Sequence, residues 1–426
     1  MPSGGSHVRV RRLSNNLMEP TDLIHHRNLI LPPKHLIATS EAQKTAVEME
    51  QARKHLDYNS SPQDGSPLAE STLTSPFIPS ARPTTDEFAL AFDIDGVLIR
   101  GGKPIPAAVE AMKYINGENP YGIRIPYIFV TNGGGKTEEE RCLDLSKQLE
   151  LEVSPGQFIC GHTPMREMVQ KFTTVLVVGG EGEKCRVVAE GYGFKDVVTP
   201  GDLIKTKPDI TPFRKLTAEE HKNSRIRNFR ELRIEAILVF ADSRDWAGDK
   251  QIILDVLRSK NGNLLERSET FEEHLPVYFS HNDILWATSH PEPRLGMGAF
   301  RSCLEKVYEI TTQKQLNPVA FGKPQIKTYE FATRLLQQWR EDTHGINKPP
   351  STVYFVGDTP ESDILGTNEF NKRSDSNWFS ILVETGVYQA GTIPRHPAKK
   401  TCKNVLEAVQ FATERELGSK SIGPAE

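Results

Sequence analysis

Two carboxylates stand two residues apart in Phe92-Asp93-Ile94-Asp95-Gly96-Val97, directly after the apolar run Phe88-Ala89-Leu90-Ala91-Phe92. In an extended chain residues i and i+2 face the same side, so a strand ending here delivers both acids to one pocket while Gly96 lets the backbone turn away. Two acids in unlike surroundings can share the work of nucleophile and general acid or base. The same residue types also open calcium loops and surface turns. A calcium loop begun at Asp93 wants an oxygen ligand at its fifth position and a Glu at its twelfth, where this chain has Val97 and Pro104. A solvated turn does not normally follow five apolar residues.

Three more polar groups follow apolar or turn segments further on. Thr131-Asn132-Gly133-Gly134-Gly135 comes after Tyr127-Ile128-Phe129-Val130, Lys323 lies in Phe321-Gly322-Lys323-Pro324, and Val356-Gly357-Asp358-Thr359-Pro360-Glu361-Ser362-Asp363 adds two more carboxylates. A hydroxyl and glycine-exposed amides suit a phosphate oxygen, a lysine supplies charge, and carboxylates suit a hard divalent cation. Taken singly each has a plain explanation: Thr131 as a helix cap, Lys323 as a surface cation, Asp358 and Asp363 as a turn and a cap. Two nucleotide-binding look-alikes fail. Gly135-Lys136-Thr137 lacks the P-loop glycine five residues earlier, which is Val130, and Gly180-Glu181-Gly182 has Cys185 where a dinucleotide fingerprint needs its third glycine.

The segments that must position these groups alternate short apolar strands with helical stretches: residues 88–92, 107–115, 127–130 and 138–149, then 326–339, 353–356 and 379–383. Such alternation predicts βαβ units on a parallel sheet, whose ligands gather at the carboxyl ends of the strands. Only 38 positions separate Asp93 from Thr131, but 192 separate Thr131 from Lys323. The long interval carries strand-like runs of its own at 175–178, 234–240 and 277–280 and reads as a second α/β domain.

Acid pair, then Thr, then Lys, then Gly-Asp with a second Asp five residues on is the order that resembles the four motifs of the haloacid dehalogenase-like (HAD) superfamily. The phrases Phe129–Gly135, His162-Thr163-Pro164-Met165, Val239–Trp246 and Gly296–Arg301 are similar to the class IIA hydrolases of the cat-eye-syndrome critical region protein 5 type. The likeness runs from about Glu87 to Glu416, with His281 and His290 as departures. It implies a Rossmann-like core with a parallel sheet, and a C2-type α/β cap. It further implies Asp93 as nucleophile, Asp95 as acid and base, Thr131 and Lys323 on the phosphoryl oxygens with the backbone of Asn132 assisting, and Asp363 in support. Mg2+ would be held by Asp93, Asp358 and the carbonyl of Asp95. Arg244, Trp246 and His290 fall in cap loops within reach of a substrate, although Arg244 pairing locally and Trp246 packing in the cap are equally open.

The expected division is a tail at 1–85, core at 86–164 and 319–416, cap at 165–318 and a C-terminal tail at 417–426. The tail is rich in Ser, Pro and Gly, with one short helical patch open at 41–55. Arg9, Arg11 and Arg12 with no acid before Glu19 resemble a mitochondrial presequence, the alternative being a basic tail in a cytoplasmic protein. A net charge of -4 gives no bulk pull toward nucleic acid, and no apolar run approaches the roughly 18 residues of a membrane span. Five scattered cysteines without a CxxC pair argue for a reducing compartment and against a zinc cluster. The leading reading is a magnesium-dependent phosphatase of a small phosphorylated metabolite. The alternatives are a non-catalytic binding protein on the same fold and a phosphohydrolase linked to glycerophospholipid metabolism. Dimerisation through the cap, as in many class IIA relatives, stays open.

Overall fold

The computed structural model describes residues 82–418, His274 excepted. The basic tail, the patch at 41–55 and the end of the C-terminal tail lie outside the described residues. The uninterrupted apolar run Phe88–Phe92 forms strand β1, buried along its whole length. That is the pattern of a central parallel strand covered on both faces, where no position needs to be polar. A small hairpin follows, β2 (Ile99–Arg100) and β3 (Lys103–Pro104), then helix α1 (Pro106–Ile115), β4 (Tyr127–Val130), α2 (Glu138–Leu149) and β5 (Phe158–Ile159). Helix α2 begins sharply because Thr137 and Glu140 cap each other's amides reciprocally.

The chain then builds a second sheet. It runs through β6 (Thr174–Val178), α3 (Lys184–Tyr192), β7 (Asp196–Val198), α4 (Pro200–Thr206), α5 (Ala218–Asn223), β8 (Ala236–Val239) and α6 (Trp246–Leu257). Next come β9 (Ser259–Lys260), β10 (Asn263–Arg267), β11 (Val277–Phe279), a hairpin of β12 (Leu285–Trp286) and β13 (Arg294–Leu295), α7 (Met297–Thr312) and β14 (Val319–Ala320). The return supplies α8 (Ile326–His344), β15 (Thr352–Gly357), α9 (Leu365–Arg373), β16 (Trp378–Val383), β17 (Lys400–Cys402) and α10 (Val405–Thr413). Helix α8 outruns the expected end at Trp339 because its stop signal is Gly345, which takes the left-handed conformation (φ 66) and donates back to Glu341.

The first sheet has the order β17-β16-β15-β1-β4-β5 and the second β14-β11-β8-β6-β7, and every adjacent pair in both is parallel. Each sheet buries its own apolar cluster. Phe92, Ile115, Leu145, Ile381 and Val405 belong to the first; Leu176, Ile252, Phe300 and Leu304 pack one face of the second, and Val188, Leu238 and Phe240 the other. The fold is therefore α/β with a parallel core sheet and an α/β cap inserted between Thr131 and Lys323. In the core sheet, β4 and β15 flank β1 on opposite sides. The crevice outside their carboxyl ends is where such sheets bind ligands.

Candidate active site

The crevice is built from residues that leave the strands of the core sheet. Asp93 donates its amide to the Val356 carbonyl at 2.9 Å, which carries the β1–β15 pairing one residue past the strand and brings Asp93 beside the end of β15. Gly96 turns the chain away at φ +91, and a Cβ there would stand 2.2 Å from Asp358 Oδ2. Glycine is thus required twice, for the turn and for the approach of the two acids.

From β4, Thr131 Oγ1 accepts the Gly133 amide at 3.0 Å, and Asn132 acts as a tether. Its side chain donates to the Lys323 carbonyl at 3.0 Å and accepts the Lys323 amide at 2.8 Å. This holds a segment 191 residues distant in sequence in place beside the Thr131 turn.

Lys323 is only 1% exposed. Its Nζ donates to Asp93 Oδ1 at 2.6 Å and forms an ion pair with Asp363 Oδ1 at 2.8 Å. The other oxygen of Asp363 accepts the amides of Asp358 and Thr359, each at 3.0 Å, so Asp363 organises both the lysine and the loop after β15. Asp358 Oδ2 accepts the Val387 amide at 2.6 Å, and its Oδ1 accepts the Thr359 hydroxyl at 3.1 Å.

Burial pushes the Asp93 carboxyl up to about 7 against the pull of Lys323. Asp358 is driven well above the usual carboxylate range by burial and by the charges of Asp363 and Asp93. Burial alone would lower Lys323, but Asp363 and Asp93 hold it above its ordinary value. Asp95, whose side chain is one-third exposed (33%), is raised by burial and pulled back by Arg141, whose guanidinium stands 3.8 Å away. One carboxylate oxygen from each of Asp93, Asp358 and Asp363 lies within 4.8 Å of the other two. Three buried carboxylates against one ammonium leave a charge deficit that a hard divalent cation would offset, and their oxygens are the donors such an ion prefers.

Asp93, Asp95, Thr131, Asn132, Lys323 and Asp358 line one cavity of about 60 Å³, with Asp363 behind them. The cap wall is formed by Asp242, His281, Asp283, Leu285, Trp286 and Ala287. Asp283 receives the Asn132 amide at 2.8 Å and so joins the cap to the loop after β4. Burial would lower His281, but its contacts with Asp242 and Asp283 lift it to about 10. Burial would raise Asp283, but His281 holds it below the usual range.

The three cap residues picked from sequence are not among those that line this cavity. Arg244 is more than half exposed and donates to the Asp242 carbonyl at 2.8 Å and to Glu181 at 3.3 Å. Trp246 opens α6 and packs edge-on against Phe300 in the cap's own core. His290 is exposed, and its ring accepts the Glu292 amide. Asp242 and Asp283 were missed. The signal lay in the strand-end rule: Asp242 follows β8 and His281 follows β11, as Asp93 follows β1.

A second buried group, Glu138, Cys160 and His162, sits near the junction of core and cap. Cys160 Sγ lies 3.4 and 3.6 Å from the two ring nitrogens of His162, which places it over the ring face rather than in the plane where a metal would bind. Tyr192 bonds His162 Nδ1 at 2.7 Å and donates to Glu138 at 2.6 Å, so the group is a hydrogen-bonded network.

Comparison with known proteins places the chain in a class of enzyme. The family model described as haloacid dehalogenase-like hydrolase matches residues 90–195, and that described as HAD-hydrolase-like matches residues 320–408. A mitochondrial hydrolase of Saccharomyces cerevisiae is 39% identical over 329 residues, covering 72% of this chain and 90% of the relative. The chain belongs to the haloacid dehalogenase-like hydrolase family. A cardiolipin synthase (CMP-forming)/mitochondrial hydrolase fusion protein of Schizosaccharomyces pombe is 38% identical over 346 residues, 80% of this chain, but the match spans only 56% of that relative. A solved structure from Cytophaga hutchinsonii, described as a possible sugar phosphatase, matches 75% of this chain and 95% of its own at 17% identity and a TM-score of 0.48. No helix among the described residues is long and apolar enough to cross a membrane.

Proposed function

We propose that the chain hydrolyses a small phosphate monoester through an aspartyl-phosphate on Asp93. The observation that carries this reading is the buried Asp93–Lys323–Asp363–Asp358 constellation at the carboxyl ends of β1 and β15, with a second acid, Asp95, left partly open across the same small cavity.

In this reading Asp93 attacks phosphorus while the ester oxygen departs with a proton from Asp95. Asp95, now a carboxylate, takes a proton from water. The resulting hydroxide attacks phosphorus, which releases orthophosphate and restores Asp93. Lys323 and Thr131 hold the phosphoryl oxygens, and the peptide amides after Thr131 add further donors. Lys323 is fixed in advance by Asp363 and Asn132, so it need not reorganise when charge develops. Asp93, Asp358 and the carbonyl of Asp95 would hold Mg2+, with Asp363 as the outer support. When bound, the ion neutralises the carboxylates and the charge of the transferring group.

The test is phosphate release from a panel of phosphorylated metabolites and generic aryl phosphates, with and without Mg2+, comparing wild type with Asp93→Asn. Magnesium-dependent turnover that vanishes in the variant is expected. Release that survives Asp93→Asn would sink the nucleophile assignment, and no release from any ester would favour the binding-protein alternative. A glycerol-containing headgroup phosphate belongs in the panel, because the fission-yeast relative's name joins a hydrolase to cardiolipin synthesis. Mitochondrial residence is supported by the names of both yeast relatives. It is checked by fractionating cells that express a C-terminally tagged chain, and a purely cytosolic signal would overturn it.

A further inference from the structure

A hydrogen bond from the cap reaches the residue that holds the buried lysine. Asn132 is 5% exposed, and its side-chain amide is fully engaged. The oxygen accepts the Lys323 amide at 2.8 Å, while the nitrogen donates to the Lys323 carbonyl at 3.0 Å and to Asp283 Oδ2 at 2.8 Å. Lys323 is thus gripped at both of its backbone groups, and the remaining bond goes to the cap. A buried donor left unpaired is costly. Without Asp283, that cost favours any rotation that takes the Asn132 amide to water, and such a rotation breaks its bonds to Lys323.

Asp283 is itself fixed within the cap. Its carbonyl accepts the Gly298 amide at 2.8 Å at the start of α7, and its Oδ2 stands 3.4 Å from His281 Nδ1. The glycines of Gly296-Met297-Gly298 make room for this seat. A Cβ at Gly296 would stand 2.7 Å from the Asp283 carbonyl oxygen, and one at Gly298 would collide with the Asn282 carbonyl. On the other side, Gly322 lies so near Asn132 that a Cβ would come 2.5 Å from Asn132 Oδ1. Asp283, Asn132 and Lys323 therefore form a close-packed relay that runs from α7 in the cap to the strand ends of the core. Asp93 and Asp363 pair with the Lys323 ammonium, so they fix the head of the side chain and leave its backbone to Asn132.

Resting on the phosphatase reading above, we propose that Asp283 is a positioning residue of the active site: through Asn132 it holds Lys323 where the phosphoryl oxygens bind, so that a cap residue sets the alignment of a core catalytic group. The role needs an acceptor oxygen and not a charge. A carboxylate lining the cavity has the wrong sign for an anion, so removing its charge alone does not weaken phosphate binding.

The experiment measures kcat and KM for 4-nitrophenyl phosphate and the inhibition constant of orthophosphate, at saturating Mg2+, in wild type, Asp283→Ala and Asp283→Asn. Orthophosphate has no leaving group for the cap to touch, so its constant reads the phosphoryl pocket alone. Both substitutions remove the charge and only Asp283→Asn keeps an acceptor oxygen, so the difference between them reads the bond to Asn132. Asp283→Ala is expected to lower kcat by on the order of 10- to 100-fold, the scale of a misplaced catalytic group, and to weaken orthophosphate several-fold. Asp283→Asn should recover most of both losses. If Asp283→Ala does not fold, Asp283→Ser, whose hydroxyl is too short to reach Asn132, takes its place. A rise confined to KM with orthophosphate unchanged, an unchanged kcat in Asp283→Ala, or an Asp283→Asn as impaired as Asp283→Ala overturns the positioning role and leaves the phosphatase standing. No phosphate release by wild type overturns the phosphatase reading, and the positioning role with it.

Discussion

Asp358 shows at the scale of one side chain how a site can work against the stability of the protein that holds it. It is 1% exposed, close to Asp93 and Asp363, and burial together with those two charges resists its ionisation. Its two oxygens accept separately, one from the Val387 amide and the other from the Thr359 hydroxyl; an asparagine keeps the first bond with its oxygen, and its side-chain nitrogen can donate to the hydroxyl oxygen in place of the second. Asp358→Asn should therefore raise the melting temperature of the metal-free protein, by about 2–4 °C for each ~1 kcal/mol gained. In wild type, Mg2+ at a hundred times its dissociation constant should stabilise by ~2.7 kcal/mol through mass action. That shift should disappear in Asp358→Asn, and phosphate release with it. Scanning calorimetry with and without Mg2+ checks all of this. A metal-free variant that melts below wild type would show that Asp358 is compensated by contacts other than a cation.

At the scale of elements, the β2–β3 hairpin couples the acid loop to the cap. Arg100 in β2 donates to the Thr288 carbonyl at 2.9 Å on the cap side and to the Thr385 carbonyl at 3.1 Å on the core side, beyond β16. Gly101 lies against Ser289 so closely that a Cβ would stand 2.5 Å from its side chain. These contacts pin the loop that follows β12, whose Trp286 and Ala287 line the cavity, to the turn that begins at Asp95. Arg100→Ala removes these bonds, together with the longer ones from Arg100 to the His290 and Pro291 carbonyls at 3.5 Å, without touching the cavity, and should lower kcat/KM about tenfold, the equivalent of ~1.4 kcal/mol. Steady-state kinetics on 4-nitrophenyl phosphate decides it. An unchanged kcat/KM would mean that the cap keeps its position without this clamp.

At the scale of the whole molecule, two parallel sheets with separate apolar clusters meet through their carboxyl ends, and the site lies where those ends face each other. The core half of this arrangement was legible in the residues. Runs such as Phe88–Phe92 and Val353–Val356 are apolar without alternation because both faces of a central parallel strand are covered, and strand-end geometry then sends Asp93, Asp95, Thr131 and Asp358 into one crevice. The length of the interval between Thr131 and Lys323 announced a second α/β unit for an equally local reason, since its strands carry the same apolar signature.

The cap half of the site was not legible, because its residues are chosen by distances between elements far apart in sequence. Arg244 and Trp246 have the residue types of substrate contacts, but α6 starts at Trp246 and draws its ring onto Phe300, while Arg244 turns outward to Glu181. Asp242, two residues earlier, faces inward only because β8 lies beside β11 and sets it against His281. Asn132 reads in sequence as one residue of a glycine-rich turn; across 151 residues it meets Asp283, and across 191 it meets Lys323. What the sequence by itself determined is the chemistry and the strands that carry it, since side-chain type and local periodicity are properties of neighbours along the chain. Which cap residues close over that chemistry was decided by tertiary structure alone, because burial, charge compensation and long-range hydrogen bonds exist only once distant segments are packed together.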